Sequence, residues 1–254
     1  MHISGHDFSC ITPEALRGTK SIDAWFTLKN RHYSAPDGRI EGLNLGFNTP
    51  DPEAAVTRNR SLLLSELDID PAQVAYADQV HSDNIQVVSE GGTYSATDGL
   101  ITAMPGLSLA IQVADCAAVL LWDASNHIIG AFHAGWRGAA AGILTKGVRS
   151  MMREGADPGQ IESFVSPCLS QKNFEVGPEV AALFPASYVD NISYRKPHVD
   201  LKGFLAGQLQ EAGLKASHME VREECTLDEA GDFYSYRREG RQSGRMMALI
   251  RLNR

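Results

Sequence analysis

The sequence is poor in cysteine and contains no long apolar run. Its four cysteines form no CxxC pair and are too few for a disulfide framework in 254 residues, so we expect free thiols in a reducing compartment. No segment reaches the roughly 18 consecutive apolar residues of a spanning helix, and the first twenty residues lack the basic start and apolar core of a signal peptide. These absences predict a cytoplasmic protein that has no membrane partner.

Basic residues are too few for a nucleic-acid-binding surface. The 23 Lys and Arg face 31 Asp and Glu, for a net charge of -8, although one local basic pocket can still hold an anionic small molecule. The chain contains no GxGxxG, Walker or GxSxG motif, which argues against the commonest dinucleotide, nucleoside triphosphate and serine-hydrolase sites. A metal-assisted or cysteine-based reaction remains.

The first half of the sequence contains a succession of short apolar strand patterns. With 43% hydrophobic residues, no internal repeat and no linker, we expect residues 1–254 to form a single domain. Strand patterns cover 24–28, 74–76, 85–88, 99–102, 108–113, 117–122 and 128–132. Helical patterns cover 54–67, 138–154, 178–184 and 201–212, the last with Asp200 as its N-cap. Because strands and helices do not strictly alternate, we predict an α+β layered fold.

Cys116 and His133 flank a predicted β-hairpin. Apolar segments precede and follow a turn-like tetrapeptide at 123–126. If the turn is centred between Ala124 and Ser125, Cys116 and His133 lie directly opposite each other on one face, with Cβ atoms roughly 4.5 to 5.5 Å apart. A thiol and an imidazole in this arrangement suit either a shared metal ion or a thiolate and imidazolium pair. A one-residue change of register would separate them.

His81 is a third candidate, in the polar run DQVHSDN between two strand-like segments. Two histidines and one cysteine match the three-ligand arrangement of a catalytic zinc site, which leaves a fourth position for water or substrate. Imidazole and thiolate ligands suit copper as well. The spacing alone does not join His81 to the other two, and a solvated loop histidine is the plain alternative.

Charged residues near these positions are further candidates. Arg137, at the start of a predicted helix, could hold a phosphate or carboxylate together with nearby amide groups, or lie free on the surface. Asp98 and Asp115 could orient a ligating histidine, act as a base, or only cap backbone groups. The C-terminal run FYSYRREGRQSGR holds four arginines that we expect to be mostly solvated or paired with acids: Arg237, Arg238, Arg241 and Arg245.

A series of ordered motifs spans nearly the whole chain. They are LNLG at 43–46, NR at 59–60, DQVHS around His81, TDGLIT around Asp98, ADC ending at Cys116, HAGWRG from His133, FEVGPEV from Phe174, HVDL from His198, CT at Cys225 and YSYRR from Tyr234. In these motifs the chain resembles the bacterial family of multicopper polyphenol oxidase or laccase-domain proteins. Members are also described as purine nucleoside phosphorylases and, in some cases, as peptidoglycan editing factors. The combination of HAGWRG with ADC and QVH is highly specific.

The resemblance implies a fold and a metal site. The fold is a four-layer αββα sandwich, and the metal site is a zinc site formed by His81, Cys116 and His133. Cys116, His133 and Asp98 are then the expected catalytic residues. Zn²⁺ is the expected cofactor, and copper is the alternative metal.

The resemblance also implies an activity. Members cleave adenosine, inosine and methylthioadenosine with phosphate and deaminate adenosine hydrolytically, so the expected partners are purine nucleosides and phosphate. The family pattern places substrate or phosphate contacts near Asn44, Arg60 and Arg137. We expect a monomer or a homodimer.

The chain departs from the family pattern at two places. Where relatives have TR followed by a glycine pair, this chain has Thr27 and Leu28, so the arginine is missing. Where relatives have GP, it has Ser166 and Pro167 before Cys168. The first departure bears on substrate preference, and neither one changes the three expected metal ligands.

Two other functions stay open. Copper-dependent polyphenol oxidation, after the family's older name, needs ligands for several copper ions, which one His, Cys and His trio does not supply. A metal-free alternative makes Cys116 a nucleophile activated by His133, giving an amidase that trims a peptidoglycan precursor. Purine release with and without phosphate separates these functions.

Overall fold

A computed structural model of the protein describes residues 8–253. The strands are β1 Cys10–Ile11, β2 Ile22–Thr27, β3 Val74–Ala77, β4 Ile85–Val87, β5 Gly92–Tyr94, β6 Gly99–Thr102, β7 Ser108–Val113, β8 Ala117–Asp123, β9 Ile128–Ala134, β10 Glu162–Val165, β11 Val189–Asp190, β12 His198–Val199, β13 Met219–Val221 and β14 Met246–Leu252. The α-helices are α1 Glu53–Glu66, α2 Trp136–Ala140, α3 Ile143–Arg153, α4 Pro178–Ala181, α5 Leu201–Glu211 and α6 Tyr236–Glu239. None of the helices within 8–253 has the length and apolar character needed to cross a membrane.

Two six-stranded sheets form the centre of the fold. Sheet 1 has the order β1-β2-β14-β7-β3-β5, and sheet 2 has the order β13-β10-β8-β9-β6-β4. Both sheets are mixed. In sheet 1, β3 is parallel to β5 and β7 while β14 is antiparallel to β2 and β7. In sheet 2, β4 is parallel to β6 while β8 and β9 form an antiparallel hairpin. The chain crosses from sheet 1 to sheet 2 three times, between β3 and β4, between β5 and β6, and between β7 and β8.

The two sheets pack face to face on a shared apolar interior. Alternate residues of β8, such as Leu120 and Trp122, contact side chains of sheet 1 that include Phe26 and Ile111. Intervening residues of β8, such as Leu121, belong to a second apolar cluster on the other side of sheet 2. Burial on both faces explains why β8 reads as a continuous apolar run and not as an alternating pattern.

Helices cover the outer face of each sheet. Helix α1 buries Leu63 and Leu64 against sheet 1, while α3 and α5 pack on sheet 2 through residues such as Val148 and Leu205. The predicted N-cap of α5 is confirmed, since the Asp200 side chain accepts a hydrogen bond from the Gly203 amide. The layers therefore follow in the order helix, sheet, sheet, helix, and the expected four-layer αββα fold is confirmed.

The predicted register of the β8 and β9 hairpin is wrong: the turn centre lies one residue later than expected, so each pairing partner shifts by two residues. Asp123 pairs with Ile128, which leaves a loop at 124–127 centred one residue later than expected. The Asp123 carboxylate accepts hydrogen bonds from the Ser125 and Asn126 amides, so it ends the strand and caps the loop. Consequently His133 lies opposite Ala118 and not opposite Cys116.

The face of the hairpin is nevertheless the expected one. The change moves each partner by two residues, and side chains two apart on a strand point to the same side. Continued beyond β8, the register sets Cys116 opposite Gly135. Cys116 and His133 are therefore diagonal neighbours on one face.

Two further differences concern the later part of the chain. The helix expected at 138–154 is split into α2 and α3 at Gly142, whose φ of 80° is a left-handed conformation that suits glycine. The strand patterns omitted β14, which lies in the middle of sheet 1 between β2 and β7. Its run MMALIRL is buried almost throughout.

Candidate metal centre and cavity

His81, Cys116 and His133 come together at one end of the two-sheet sandwich. Their potential ligand atoms, one nitrogen from each histidine and the cysteine Sγ, all lie within 4.8 Å of one another. The rings of His81 and His133 stand edge to face at 82°, with centroids 4.8 Å apart. His133 is buried in β9, whereas His81 lies in the exposed loop after β3. The group of His81, Cys116 and His133 is therefore accessible to solvent on the side of His81.

Asp98 holds the two histidines in place from behind. Its carboxylate accepts hydrogen bonds from the amides of Val80, His81 and Ser82 at 3.2, 3.0 and 2.7 Å. The Nδ1–H of His133 donates to Asp98 Oδ1 at 2.7 Å. This bond leaves Nε2 of His133 free for a ligand, and such a carboxylate behind a histidine is typical of metal sites.

The pKa values follow from this arrangement. Burial would raise the pKa of Asp98, but hydrogen bonds from His133 and Ser82 lower it to about 2. Burial would also raise the pKa of Cys116, but the imidazoles of His133 and His81 lower it to about 6. Burial would lower the pKa of His133, but Cys116 and Asp98 raise it to about 9. Without a metal, the thiol and the imidazole therefore favour the thiolate and imidazolium forms.

Gly135 has no side chain, which leaves room for His81, Cys116 and His133 to lie close together. A Cβ at this position would lie 2.9 Å from Cys116 Sγ and 3.4 Å from His81 Cδ2. Any side chain would therefore press on the thiol, since Cβ contacts below 3.0 Å do not occur in stable packing. This contact explains the first glycine of the HAGWRG motif.

The three donors fit a transition metal of the zinc type. Two imidazole nitrogens and one thiolate are a known three-protein-ligand set for catalytic Zn²⁺, which binds nitrogen at about 2.0 Å and sulfur at about 2.3 Å. The same soft donors also accept copper. The donor chemistry and the space beside Gly135 both fit the cofactor that the motifs imply, while the identity of the metal stays a prediction.

A cavity of about 860 Å³ adjoins the trio. Its wall contains five aromatic side chains, from Phe47, Tyr76, Trp136, Phe174 and Tyr236. Its basic residues are four arginines: Arg60, Arg137, Arg237 and Arg245. The four arginines outnumber the two carboxylates of the lining, Asp78 and Asp115, so the cavity carries a local excess of positive charge that suits an anionic ligand although the chain as a whole is negative.

The three expected substrate-binding residues do not all reach this cavity. Arg60 and Arg137 line it. Asn44 is completely buried, and its amide group is fully occupied by the chain itself. Its Nδ2 donates to Thr49 and Asp51, and its Oδ1 accepts from the amides of Gly46 and Arg245. Asn44 thus supports the wall from behind and presents no free polar atom to a ligand.

Asp115 does not orient either histidine of the trio. Its carboxylate accepts hydrogen bonds from the Thr226 hydroxyl at 2.7 Å and the Arg237 amide at 2.6 Å. Its backbone has a left-handed φ of 81° immediately before Cys116. Asp115 therefore fastens the C-terminal segment to the turn that carries the thiol.

The C-terminal arginines are only partly as expected. Arg238 pairs with Glu239 and with backbone carbonyls, and Arg241 is exposed. Arg237 and Arg245, by contrast, line the cavity, and neither forms an ion pair with a carboxylate among residues 8–253. The clustering of arginine with tyrosine in YSYRR was the available signal for a ligand-binding segment.

The cysteines outside the trio are as expected. Cys10, Cys168 and Cys225 are buried, and all four cysteines are free thiols. Burial raises the pKa of Cys10 to about 11 and that of Cys168 to about 12, so neither is a ready nucleophile.

Comparison with known proteins agrees with the sequence motifs and with the fold. Residues 23–253 match the family described as multi-copper polyphenol oxidoreductase laccase. The chain belongs to this family. The resemblance found in the sequence motifs is thereby confirmed.

Individual members of the laccase family are similar over most of their length. A purine nucleoside phosphorylase of Deinococcus radiodurans is 38% identical over 221 residues, which cover 85% of each chain. A purine nucleoside phosphorylase of Streptomyces coelicolor is 35% identical over 220 residues, covering 84% of this chain and 89% of that one. The crystal structure of Bacillus licheniformis hypothetical protein YfiH has a TM-score of 0.89 at 31% identity and covers 96% of this chain and 97% of that chain.

Proposed function

We propose that this chain is a zinc-dependent purine nucleoside phosphorylase that cleaves adenosine, inosine and methylthioadenosine with inorganic phosphate. The observation that carries the proposal is the cavity of about 860 Å³ in which four arginines lie beside His81, Cys116 and His133. Relatives that are 35% and 38% identical are named purine nucleoside phosphorylases.

Phosphorolysis needs a site that holds an anion next to a sugar. A phosphate oxygen forms a bond to the anomeric carbon of the ribose while the bond from that carbon to the purine nitrogen breaks. The leaving purine takes up the proton that the hydrogen phosphate loses when it forms the ester, and the sugar 1-phosphate remains. Arginines position the phosphate for this attack, which removes much of the entropic cost of bringing two reactants together.

The three candidate metal ligands and the aromatic side chains of the cavity wall have the remaining roles. His81, Cys116 and His133 hold the metal, and Asp98 fixes the His133 ring by accepting its Nδ1–H. Asp98 is a positioning residue and not a proton donor, because its pKa of about 2 keeps it ionised at neutral pH. A bound Zn²⁺ would polarise a ligand oxygen or lower the pKa of a bound water to about 7. The aromatic side chains offer flat apolar surfaces for a purine ring.

Hydrolytic deamination of adenosine is the second activity that we propose. In this reaction water adds to the purine carbon that bears the amino group, and ammonia leaves to give inosine. The open side of the trio is where such a water would reach the substrate. The same cavity would accommodate the purine in either reaction.

Zinc phosphorolysis is favoured over copper-dependent oxidation by the number of ligands. Within 8–253, His81, Cys116 and His133 form the only group of three His, Cys or acidic side chains placed to share a metal ion. Multicopper oxidation requires additional sets of this kind. We therefore propose a single metal ion at this position.

We also propose a cytoplasmic location. All four cysteines are free thiols, which is the state that a reducing compartment maintains.

The test is a purine-release assay on the purified, zinc-loaded protein with and without phosphate. We expect phosphate-dependent formation of hypoxanthine and ribose 1-phosphate from inosine. Cys116→Ala should lower the rate by roughly 100-fold or more, since it removes a direct metal ligand and not only an outer partner. Chromatography of the products distinguishes phosphorolysis, hydrolysis and deamination in one experiment.

Two results would contradict the proposal. If no purine is released from inosine, adenosine or methylthioadenosine, the chain is not a phosphorylase of this class. If turnover is unchanged after complete metal removal, the thiolate of Cys116 acts without zinc, and a cysteine mechanism replaces the metal one.

A further inference from the structure

The four cavity arginines differ in how they are held. Arg137 and Arg237 are exposed, and Arg60 and Arg245 are half-buried. Exposed guanidinium groups are screened by water, so their interaction with an anion is weak. Half-buried ones have lost part of their hydration and gain most from a bound anion. We therefore expect Arg60 and Arg245 to bind an anion more strongly than Arg137 and Arg237.

Arg60 and Arg245 are fastened to the same short segment of backbone, which we call the 45–47 segment. Arg60 Nε donates to the Leu45 carbonyl at 2.9 Å. The Arg245 carbonyl accepts from the Leu45 amide at 3.2 Å, and Asn44 Oδ1 accepts from the Arg245 amide at 3.0 Å. Both arginines therefore lie in the cavity wall and contact the same short segment of backbone.

Aromatic rings contact both guanidinium groups, as they also contact those of Arg137 and Arg237. The Arg60 guanidinium carbon lies 4.2 Å from the ring centroid of Phe47 and 4.8 Å from that of Tyr76. The corresponding distance from Arg245 to Tyr236 is 5.7 Å. Stacking of this kind restricts the planar fork before a ligand arrives, so less entropy is lost on binding.

Several guanidinium N–H groups of Arg60 and Arg245 have no hydrogen-bond acceptor among residues 8–253. Arg245 Nη1 donates to the carbonyls of Ser243 and Gly244 at 2.7 and 2.8 Å. Among residues 8–253, no acceptor contacts the two Nη atoms of Arg60 or the Nε and Nη2 atoms of Arg245, and no carboxylate pairs with either side chain. Two half-buried cations without a counterion are costly unless an anion joins them.

The electrostatics of the pair agree with this geometry. Burial lowers the pKa of Arg60, with a small opposing effect of Tyr76. Burial also lowers the pKa of Arg245, and Tyr236 and, to a smaller extent, Cys116, Asp115 and Glu239 oppose the change. Arg60 and Arg245 line the cavity that His81, Cys116 and His133 also line, which places the pair beside the candidate metal centre.

We propose that Arg60 and Arg245, supported by the 45–47 segment, form the subsite that binds inorganic phosphate. This assignment rests on the proposed phosphorylase function and adds to it the location of the phosphate. A tetrahedral dianion accepts two hydrogen bonds from each guanidinium fork. Arg137 and Arg237 remain at the rim and do not hold the phosphate.

Gly46 provides a way to move one arginine without removing a charge. A Cβ on Gly46 would lie 2.4 Å from Arg245 Cγ and 3.0 Å from Arg245 Cβ. The φ of Gly46 is not positive, so an alanine here suffers no backbone strain. Gly46→Ala should therefore displace the Arg245 side chain while both arginines stay in the sequence.

The experiment measures binding of radiolabelled inorganic phosphate to the zinc-loaded protein by equilibrium dialysis without nucleoside. The variants are Arg60→Met, Arg245→Met and Gly46→Ala, and the matched control is Arg241→Met, which removes an exposed arginine of the same C-terminal run. We expect each of the three variants to bind phosphate at least about tenfold more weakly than the wild type, and the control to bind equally. In kinetics, the KM for phosphate should rise by the same factor, and the KM for nucleoside should change less than about threefold.

The outcomes separate this subsite from the proposed function. If the wild type does not bind phosphate, or all three variants bind it as the wild type does, the subsite is wrong. If the arginine variants keep phosphate binding and Cys116→Ala loses it, phosphate binds at the metal instead, which also overturns the assignment. If the protein binds phosphate through these arginines but catalyses no phosphorolysis, the phosphate subsite is supported and the proposed phosphorylase function is wrong.

Discussion

Asp98 has no exposed surface and connects two parts of the site. The loop that presents His81 is held by three backbone amides that donate to its carboxylate, and the ring of His133 is held by a fourth hydrogen bond. The Asp98 carbonyl also accepts the His133 amide at 2.7 Å. One buried residue therefore sets the positions of both histidines.

Asp98→Asn should weaken metal binding. An asparagine keeps the size of the side chain, but one of its two polar atoms is a donor, which would face N–H groups that need an acceptor. Loss of an outer partner of a ligating histidine typically lowers metal affinity by about 10- to 100-fold. Zinc titration against a competing chelator measures the change.

Asp83→Asn is the matched control for this prediction. Asp83 lies two residues from His81, but its carboxylate pairs with Lys146 and contacts neither histidine. This variant should bind zinc as tightly as the wild type. A wild-type affinity in Asp98→Asn as well would show that Asp98 does not support the metal ligands.

At the scale of elements, the hairpin of β8 and β9 shows which features local sequence patterns predict and which they do not. Strands β8 and β9 and the shared face of Cys116 and His133 follow from apolar patterns alone. The register does not, because it depends on whether Asp123 ends the strand or begins the loop. His81 could be joined to the pair only through family motifs, since the bonds that place it run to the distant residue Asp98.

The position of β14 explains why Arg245 was not predicted to line the cavity. Arg245 immediately precedes this strand, which inserts between β2 and β7 by pairings far apart in sequence. A local pattern identifies an apolar run but not its neighbours in a sheet. Residues placed by such long-range pairing, such as the Arg60 and Arg245 pair, are visible only in the folded structure.

Gly135→Ala should close the space at the end of the hairpin. The added methyl group would lie 2.9 Å from Cys116 Sγ, so either the thiol or the β9 end must move. Metal ligands tolerate displacements of only about 0.2 Å. We therefore expect zinc affinity to fall by about tenfold or more, measured by the same chelator competition.

Gly231→Ala serves as the control, because a Cβ at Gly231 meets no atom within 4 Å and its φ is not positive. It should leave zinc affinity and the unfolding midpoint unchanged. Unaltered zinc binding in Gly135→Ala would mean that the three side chains do not converge at this glycine.

At the scale of the whole molecule, the candidate metal ligands lie where the chain passes between the sheets. His81 lies in the connection from β3 in sheet 1 to β4 in sheet 2, and Cys116 ends the connection from β7 to β8. His133 belongs to sheet 2 itself. A metal ion bound to all three residues would link the β3 to β4 connection and the β7 to β8 connection to sheet 2. Metal binding should therefore stabilise the whole fold.

Zinc should therefore raise the thermal unfolding midpoint of the wild type. With free zinc about 100-fold above its Kd, the native state gains about 2.7 kcal/mol. For a chain of this size that gain corresponds to roughly 5 to 10 °C. Cys116→Ala, which lacks one ligand, should show little of this gain, and an equal gain in both proteins would exclude Cys116 from the ligand set.

The zinc-dependent gain should also shrink in acid. Binding requires the thiolate of Cys116 and the neutral ring of His133, so protons compete with the metal at both residues. The Cys116 pKa of about 6 means that the thiolate is available at neutral pH and is lost as the pH falls below that value. The His133 pKa of about 9 means that zinc displaces a proton even at neutral pH. Calorimetry at about pH 7.5 and about pH 5 should therefore give a smaller zinc-induced shift at the lower pH, and a shift that is constant or larger there would rule out ligation by these two groups.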